Sequence, residues 1–296
     1  MAKALRGIIP PLTTPFTSEG TVYEEGLRRL LDFHMEKGTH GVFICGTYGS
    51  GPMMSPAERK QVAEITVDQV RDRMAVIVHV GTASTSESVA LAQHAESIGV
   101  DAVAAVPPYY HSHDEREVLE FFRALVRSVD VPVFVYNNPK TSGFTVRPQF
   151  LEQLAGVGVQ GIKDSGFSFV EFTHFMLALE GYPDFTFIIG TEALCVPALM
   201  VGAQACISGL ANAFPEVMIQ LYEAVMQFRF KEAAELQLRV NRARQILHIP
   251  SSTNAACYRA LAARGVDVGQ PKAPILPVSE EKGSRMIEAF KDMGLL

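Results

Sequence analysis

The chain has 296 residues, 48% of them hydrophobic and 20% charged, which suits one large globular unit or a barrel with an appendage. Its formal net charge is -6, with 26 Lys and Arg against 32 Asp and Glu and no dense basic run, so a nucleic-acid surface is not expected. Any anionic substrate must be held by local groups, and no apolar run approaches the ~18 residues of a membrane span.

None of Cys45, Cys195, Cys206 and Cys257 sits in a CxxC pair or a Cys/His cluster with zinc spacing, so buried reduced thiols and no metal are expected. The leading MAKALR runs straight into an apolar segment, without the longer apolar region and cleavage site of a signal peptide, which makes the cytoplasm the expected location.

In chain order, apolar runs fall at 7–12, 41–45, 75–80, 102–106, 131–136, 159–163, 186–190 and 205–208. They carry few charges, as parallel strands covered on both faces do. Helical patterns lie between them. Residues 24–37 place Leu27, Leu30, Leu31 and His34 on one face. Residues 55–70 open with Ser-Pro-Ala-Glu, an N-cap followed by Pro at the first helical position and Glu at the third. Residues 86–98 and 115–129 follow the same logic, and Gly38, Gly99 and Gly181 stand where helices stop. Eight such units predict a closed (β/α)8 TIM barrel over residues 1–214. An open doubly wound sheet is the alternative, but the first strand lacks a GxGxxG turn. After residue 214 helices are expected at 215–227, 230–247, 253–263 and 280–293, with a proline-rich stretch at 271–277. Residues 215–296 therefore read as a C-terminal helical extension.

A barrel of this kind carries its site at the C-terminal ends of its strands. Lys163 ends the sixth run, VQGIK; burial there would lower its pKa and free a neutral amine to attack a ketone. The bland alternative is a lysine whose head reaches solvent at the barrel mouth. Asp164 should point to the other face or into the loop. Tyr136 ends the fifth run and is either a proton shuttle or a packed rim aromatic. GTYGSG at 46–51 has three glycines in six residues, which lets backbone and the Thr47 hydroxyl approach a carboxylate, or makes an ordinary turn. PPYY at 107–110 presents Tyr109 and Tyr110. His79, His111 and His113 lack a carboxylate partner at metal spacing and read as rim residues.

At these residues the chain resembles the dihydrodipicolinate synthase / N-acetylneuraminate lyase family of class I, Schiff-base aldolases. The resemblance runs from PLTTPF at 11–16 to PKAPI at 271–275 and rests on the joint spacing of GT-x-G, PPYY, YN-x-P and GIKD. It implies that Lys163 forms the imine, Tyr136 shuttles the proton, and Thr47 joins a hydroxyl relay with Tyr136 and Tyr110. It also implies that the tyrosine matching Tyr110 comes from a neighbouring subunit, so a homotetramer or dimer is expected. Backbone at Thr47 and Tyr48 would receive the pyruvate carboxylate, Gly46 beside them is a candidate substrate-binding residue, and Gly190 and Ile207 match positions lining the site. No cofactor beyond the covalent Schiff base is implied.

Departures bear on the substrate. Synthases of the family usually read GTTGE in the loop; here Tyr48 replaces the second threonine and Ser50 the glutamate. They also carry an arginine five residues after the shuttle tyrosine, where this chain has Thr141, with Lys140 one residue away. The stretch GTYGSGPMMS and the region 265–274 look closer to 2-keto-3-deoxygluconate aldolases. Thr141, Ser142, Thr191, Glu192 and Ser208 are the available polar groups for a polyol chain, whereas Tyr48, Met53 and Met54 suit a less polar one. Hydratase-aldolases acting on aromatic substrates can carry an aromatic at the Tyr48 position. The leading expectation is reversible cleavage of a 4-hydroxy-2-oxo acid to pyruvate and an aldehyde. Dehydration, decarboxylation, deamination or condensation through the same imine, or a non-catalytic binding protein, are the alternatives.

Overall fold

A computed structural model describes Lys3 and residues 5–296. The reading of the leading residues falls partly on Met1, Ala2 and Ala4, which lie outside the described residues.

Eight parallel strands form one sheet: β1 (Gly7–Ile9), β2 (Gly41–Ile44), β3 (Ala75–His79), β4 (Ala102–Ala105), β5 (Val133–Asn137), β6 (Gly161–Asp164), β7 (Thr186–Ile189) and β8 (Ala205–Ile207). From β2 to β8 each is hydrogen-bonded to its neighbour in sequence, and β8 also to β1. Between β1 and β2 the ring closes through His40 N–H to Ile8 O (3.1 Å), Phe43 N–H to Pro10 O (3.0 Å) and Leu12 N–H to Phe43 O (2.9 Å). The result is the (β/α)8 barrel that the alternation predicts, and the open-sheet alternative falls away.

Strand alternation sorts side chains into two layers. One set, including Ile9, Phe43, Ile77, Phe134, Tyr136, Ile188 and Ile207, fills the barrel interior. The other meets the surrounding helices and makes the larger core. Gly161 matters here: a Cβ would stand 2.1 Å from the Phe134 ring, so its absence lets that ring fill the layer beneath Lys163.

The outer helices are α1 (Glu24–Glu36), α2 (Pro56–Val70), α3 (Thr85–Ser97), α4 (Glu115–Ser128), the short α5 (Pro139–Ser142), α6 (Pro148–Gly156), α7 (Phe169–Ala178), α8 (Cys195–Met200) and α9 (Pro215–Met226). Ser55 caps α2 in a reciprocal capping box with Glu58, as its sequence predicts. Gly38 (φ 77°) and Gly99 (φ 85°) take the left-handed turn beyond α1 and α3. Because α9 follows β8 and packs against β1 and α8, it belongs to the helical ring. The extension proper is α10 (Phe230–Leu247), α11 (Thr253–Ala263) and α12 (Glu280–Asp292). No helix among the described residues is long and apolar enough to cross a membrane. All four cysteines are free and buried.

Candidate active site

Tyr136 and Lys163 are direct partners in the β5–β6 ladder, so their side chains stand side by side on the inner face. Lys163 is only 3% exposed. Its Nζ lies 3.8 Å from the centroids of both the Phe43 and the Tyr136 rings. Burial lowers its pKa, and the neighbouring Tyr136 phenol opposes that in part. Burial would raise the Tyr136 phenol, but Lys163 and hydrogen bonds with Thr47 and Ser165 outweigh it, and the net shift is downward. The Tyr136 ring is held edge-on by Phe43 and His79, at centroid distances of 5.7 and 6.0 Å.

The Tyr136 hydroxyl lies 3.4 Å from Thr47 Oγ1 and accepts a hydrogen bond from Asn138 Nδ2 at 3.1 Å. Neither the Thr47 nor the Tyr48 backbone N–H finds an acceptor among the described residues. The loop that presents them is tight. Cys45 and Ser50 both take φ 57°, and a Cβ at Gly51 would stand 1.7 Å from the Cys45 carbonyl oxygen. Gly46 is likewise confined, with the Phe43 ring 2.4 Å from where its Cβ would be.

Lys163 lies at the buried end of a cavity of about 260 Å³ that also takes in Thr47, Tyr48, Tyr136, Thr141 and Gly190. Glu192, Ile207 and Thr191 line it too. Glu192 is buried; its Oε2 accepts from Ser208 Oγ (3.2 Å) and Gly209 N–H (3.1 Å), and its Oε1 pairs with Arg244 Nε at 3.2 Å. Ser208 is fully buried and acts behind Glu192 rather than on the cavity wall. Tyr48 enters the site as its sequence position implies, with its phenol against Gly209, where a Cβ would stand 2.4 Å from the hydroxyl. Burial pushes that hydroxyl far above the ordinary tyrosine range, so it keeps its proton.

Asp164 faces away from the barrel interior, as expected. Its Oδ1 accepts from Asn137 Nδ2 at 2.7 Å and from Gly166 N–H at 3.1 Å, and burial raises its pKa to about 6. Tyr110 is not brought to this cavity within one chain: it is 90% exposed, at φ 82°.

Two expectations need correction. His79 is not a rim residue: it is 2% exposed and sits inside the barrel. Its Nε2 accepts from Val106 N–H at 3.2 Å, while the Arg59 guanidinium, reaching in from α2, binds its carbonyl at 2.6 Å. Met54 packs in the core, so only Met53 faces a neighbouring apolar recess of about 290 Å³. The extension also supplies residues that the sequence reading did not name: Arg244 and His248 at the end of α10 and Thr253 on α11 line the cavity. Asn254 Nδ2 also donates to the Tyr48 carbonyl. Arg244 carries no local mark in a helix with several arginines, so only the tertiary fold reveals it. Ser165 was findable, because the strand period of two puts it on the Lys163 face.

The dihydrodipicolinate synthetase family model matches residues 4–293. An uncharacterized DapA-like lyase of Halobacterium salinarum is 32% identical over 99% of this chain and 95% of its own. The 4-hydroxy-tetrahydrodipicolinate synthase of Methanothrix thermoacetophila is 31% identical over 97% of each. The crystal structure of YagE, a prophage protein of the dihydrodipicolinic acid synthase family from E. coli K12 in complex with pyruvate, superposes with a TM-score of 0.95. The two share 26% identity, over 99% of this chain and all of that one (100%). This chain belongs to the dihydrodipicolinate synthetase family, and it is an enzyme of that family's pyruvate-dependent class I lyases.

Proposed function

We propose that the enzyme reversibly cleaves a 4-hydroxy-2-oxo acid of the 2-keto-3-deoxy sugar acid type into pyruvate and an aldehyde. The observation that carries this reading is the buried Lys163 amine beside the Tyr136 phenol, with Thr47 and Asn138 on the phenol oxygen. Lys163 attacks the C2 ketone, and Tyr136 gives its proton to the leaving hydroxyl, so loss of water leaves the protonated imine beside a Tyr136 phenolate. Tyr136 takes the proton of the C4 hydroxyl as the C3–C4 bond breaks. The electron pair moves to the imine nitrogen, giving an enamine and the free aldehyde. Tyr136 returns its proton to C3, and water hydrolyses the imine to pyruvate and the free amine. The carboxylate rests on the Thr47 and Tyr48 N–H groups. Gly190 and Ile207 wall the pyruvate end, while Thr141, Glu192 and Arg244 face the aldehyde end, with Ser208 supporting Glu192. No metal or organic cofactor enters these steps.

In this reading Tyr110 serves a second copy of the chain, whose relay it completes, so the working form is a homotetramer or dimer. The solvent-exposed position of its ring in one chain supports that. Four free buried thiols fit a reducing, cytoplasmic setting.

A second reading is condensation of the enamine with an acceptor that carries its own carboxylate. The synthase name of the Methanothrix relative favours it, and Lys140 and Arg244 supply cations at the cavity. Thr141, where synthases carry arginine, weighs against it. Product analysis decides. Release of pyruvate with an equimolar aldehyde from 2-keto-3-deoxygluconate supports cleavage, whereas a retained carbon skeleton, or turnover only with an acidic acceptor, overturns it.

A further inference from the structure

Phe167 lies between β6 and α7 in the left-handed region, at φ 63°. A bulky residue there is a true backbone outlier, and glycine would hold the same turn at less cost. Both sides of the loop are pinned. Ser165 is buried and its Oγ donates to the Gly190 carbonyl at 3.3 Å, while Ser168 Oγ caps α7 by accepting from Glu171 N–H at 3.2 Å. The Phe167 side chain is 54% exposed and joins neither core cluster. Its ring lines the cavity, with the Arg244 guanidinium carbon 5.5 Å from the centroid. The turn is therefore strained at a position where the ring adds no core burial but stands over the open end of the site.

We propose that Phe167 is a specificity-determining residue: held against Arg244, its ring caps the cavity mouth and limits how far the aldehyde fragment extends beyond C4. This rests on the imine reading above. Lys163 sits at the buried end and Phe167 at the exposed end, so an imine-bound chain growing outward from C2 meets the ring last. A capping ring penalises each added carbon of a fragment that must pass it, whereas a short fragment fits below.

The test is condensation of pyruvate with glycolaldehyde, glyceraldehyde, erythrose and arabinose, using the full chain and its Phe167→Gly and Phe167→Leu variants. Melting temperature confirms that each variant folds. The ratio of kcat/KM for arabinose to that for glyceraldehyde should rise by about tenfold in Phe167→Gly, the size of effect that steric exclusion of a carbon or two produces, and less in Phe167→Leu. An unchanged ratio in both variants overturns the proposal. So does loss of turnover with every aldehyde in a folded variant that still forms the pyruvate imine, because the ring would then serve the chemistry and not the fit. Imine trapping in the unaltered chain is scored separately; its failure would count against the lyase reading itself.

Discussion

At the residue scale the proposed chemistry depends on what burial does to two protons. Lys163 is held below the ordinary lysine value of 10.5 chiefly by desolvation, so its reactive neutral form is reached at lower pH than in a free lysine. The Tyr136 phenol favours the ammonium, so removing it should move the acid limb of imine formation further down in pH. Tyr136→Phe is thus expected to shift that limb to lower pH while cutting turnover by about 10²–10⁴-fold, the usual share of a general acid–base. A pH series of single-turnover trapping beside steady-state rates checks both, and a limb moving upward would contradict the charge assignment. Asp164 offers an independent check on stability. Its folded pKa of about 6 lies above the ordinary 3.8, so the folded state holds its proton more tightly than the unfolded one. Its contribution is most favourable below the lower value and is lost as pH rises to about 6. Asp164→Asn should remove that decline, read as melting temperature against pH relative to the unaltered chain.

At the element scale, several features were legible because local rules decide them. The 3.6 period delimits residues 230–247 and 253–263, and both stand as helices with those bounds. The Ser55–Glu58 capping box is readable from four residues. Other features were not legible, for physical reasons. A strand end does not announce which face His79 takes until Arg59 arrives from α2 to bind its carbonyl. Arg244 gains its place only when α10 packs beside Glu192. Gly190 is explained by contacts that only the fold creates: a Cβ would meet Ser165 Oγ at 2.1 Å and the Asp164 carbonyl oxygen at 2.6 Å. Gly190→Ala should therefore push β7 away from β6, lowering both melting temperature and kcat/KM; retention of both would mean the strands yield without cost. The extension is tied to the ring by Glu216 on α9, which binds Arg264 just past α11 and Lys37 just past α1. Burial would raise its pKa, but those cations outweigh it and bring it to about 2. That stabilisation is present above the ordinary value of 4.5 and is lost as pH falls toward 2. Glu216→Gln should lower the melting temperature at neutral pH and flatten its fall over that acid range.

At the scale of the whole molecule, the barrel gathers β2, β5, β6, β7 and β8 with two extension helices around one cavity; the strand ends pointed to Lys163, Tyr136 and the 46–51 loop, whereas Gly190, Ile207 and Thr141 were named only through the family resemblance. The single chain does not account for Tyr110. If a second copy completes the relay, Tyr110→Phe should slow turnover although its ring is 90% exposed in one chain. A mixture of Tyr110→Phe and Lys163→Ala chains should then recover activity on subunit exchange, as far as mixed assemblies place a working Tyr110 beside a working Lys163. Activity that never exceeds the dilution of each variant would contradict that arrangement. The imine itself is the most direct object of test. The protein is incubated with pyruvate, reduced with borohydride and weighed, intact and as peptides. The mass of one reduced pyruvate is expected on the peptide holding Lys163, and none in Lys163→Ala. No mass gain with pyruvate or with keto-deoxy sugar acids, or a gain on a different lysine, would contradict it.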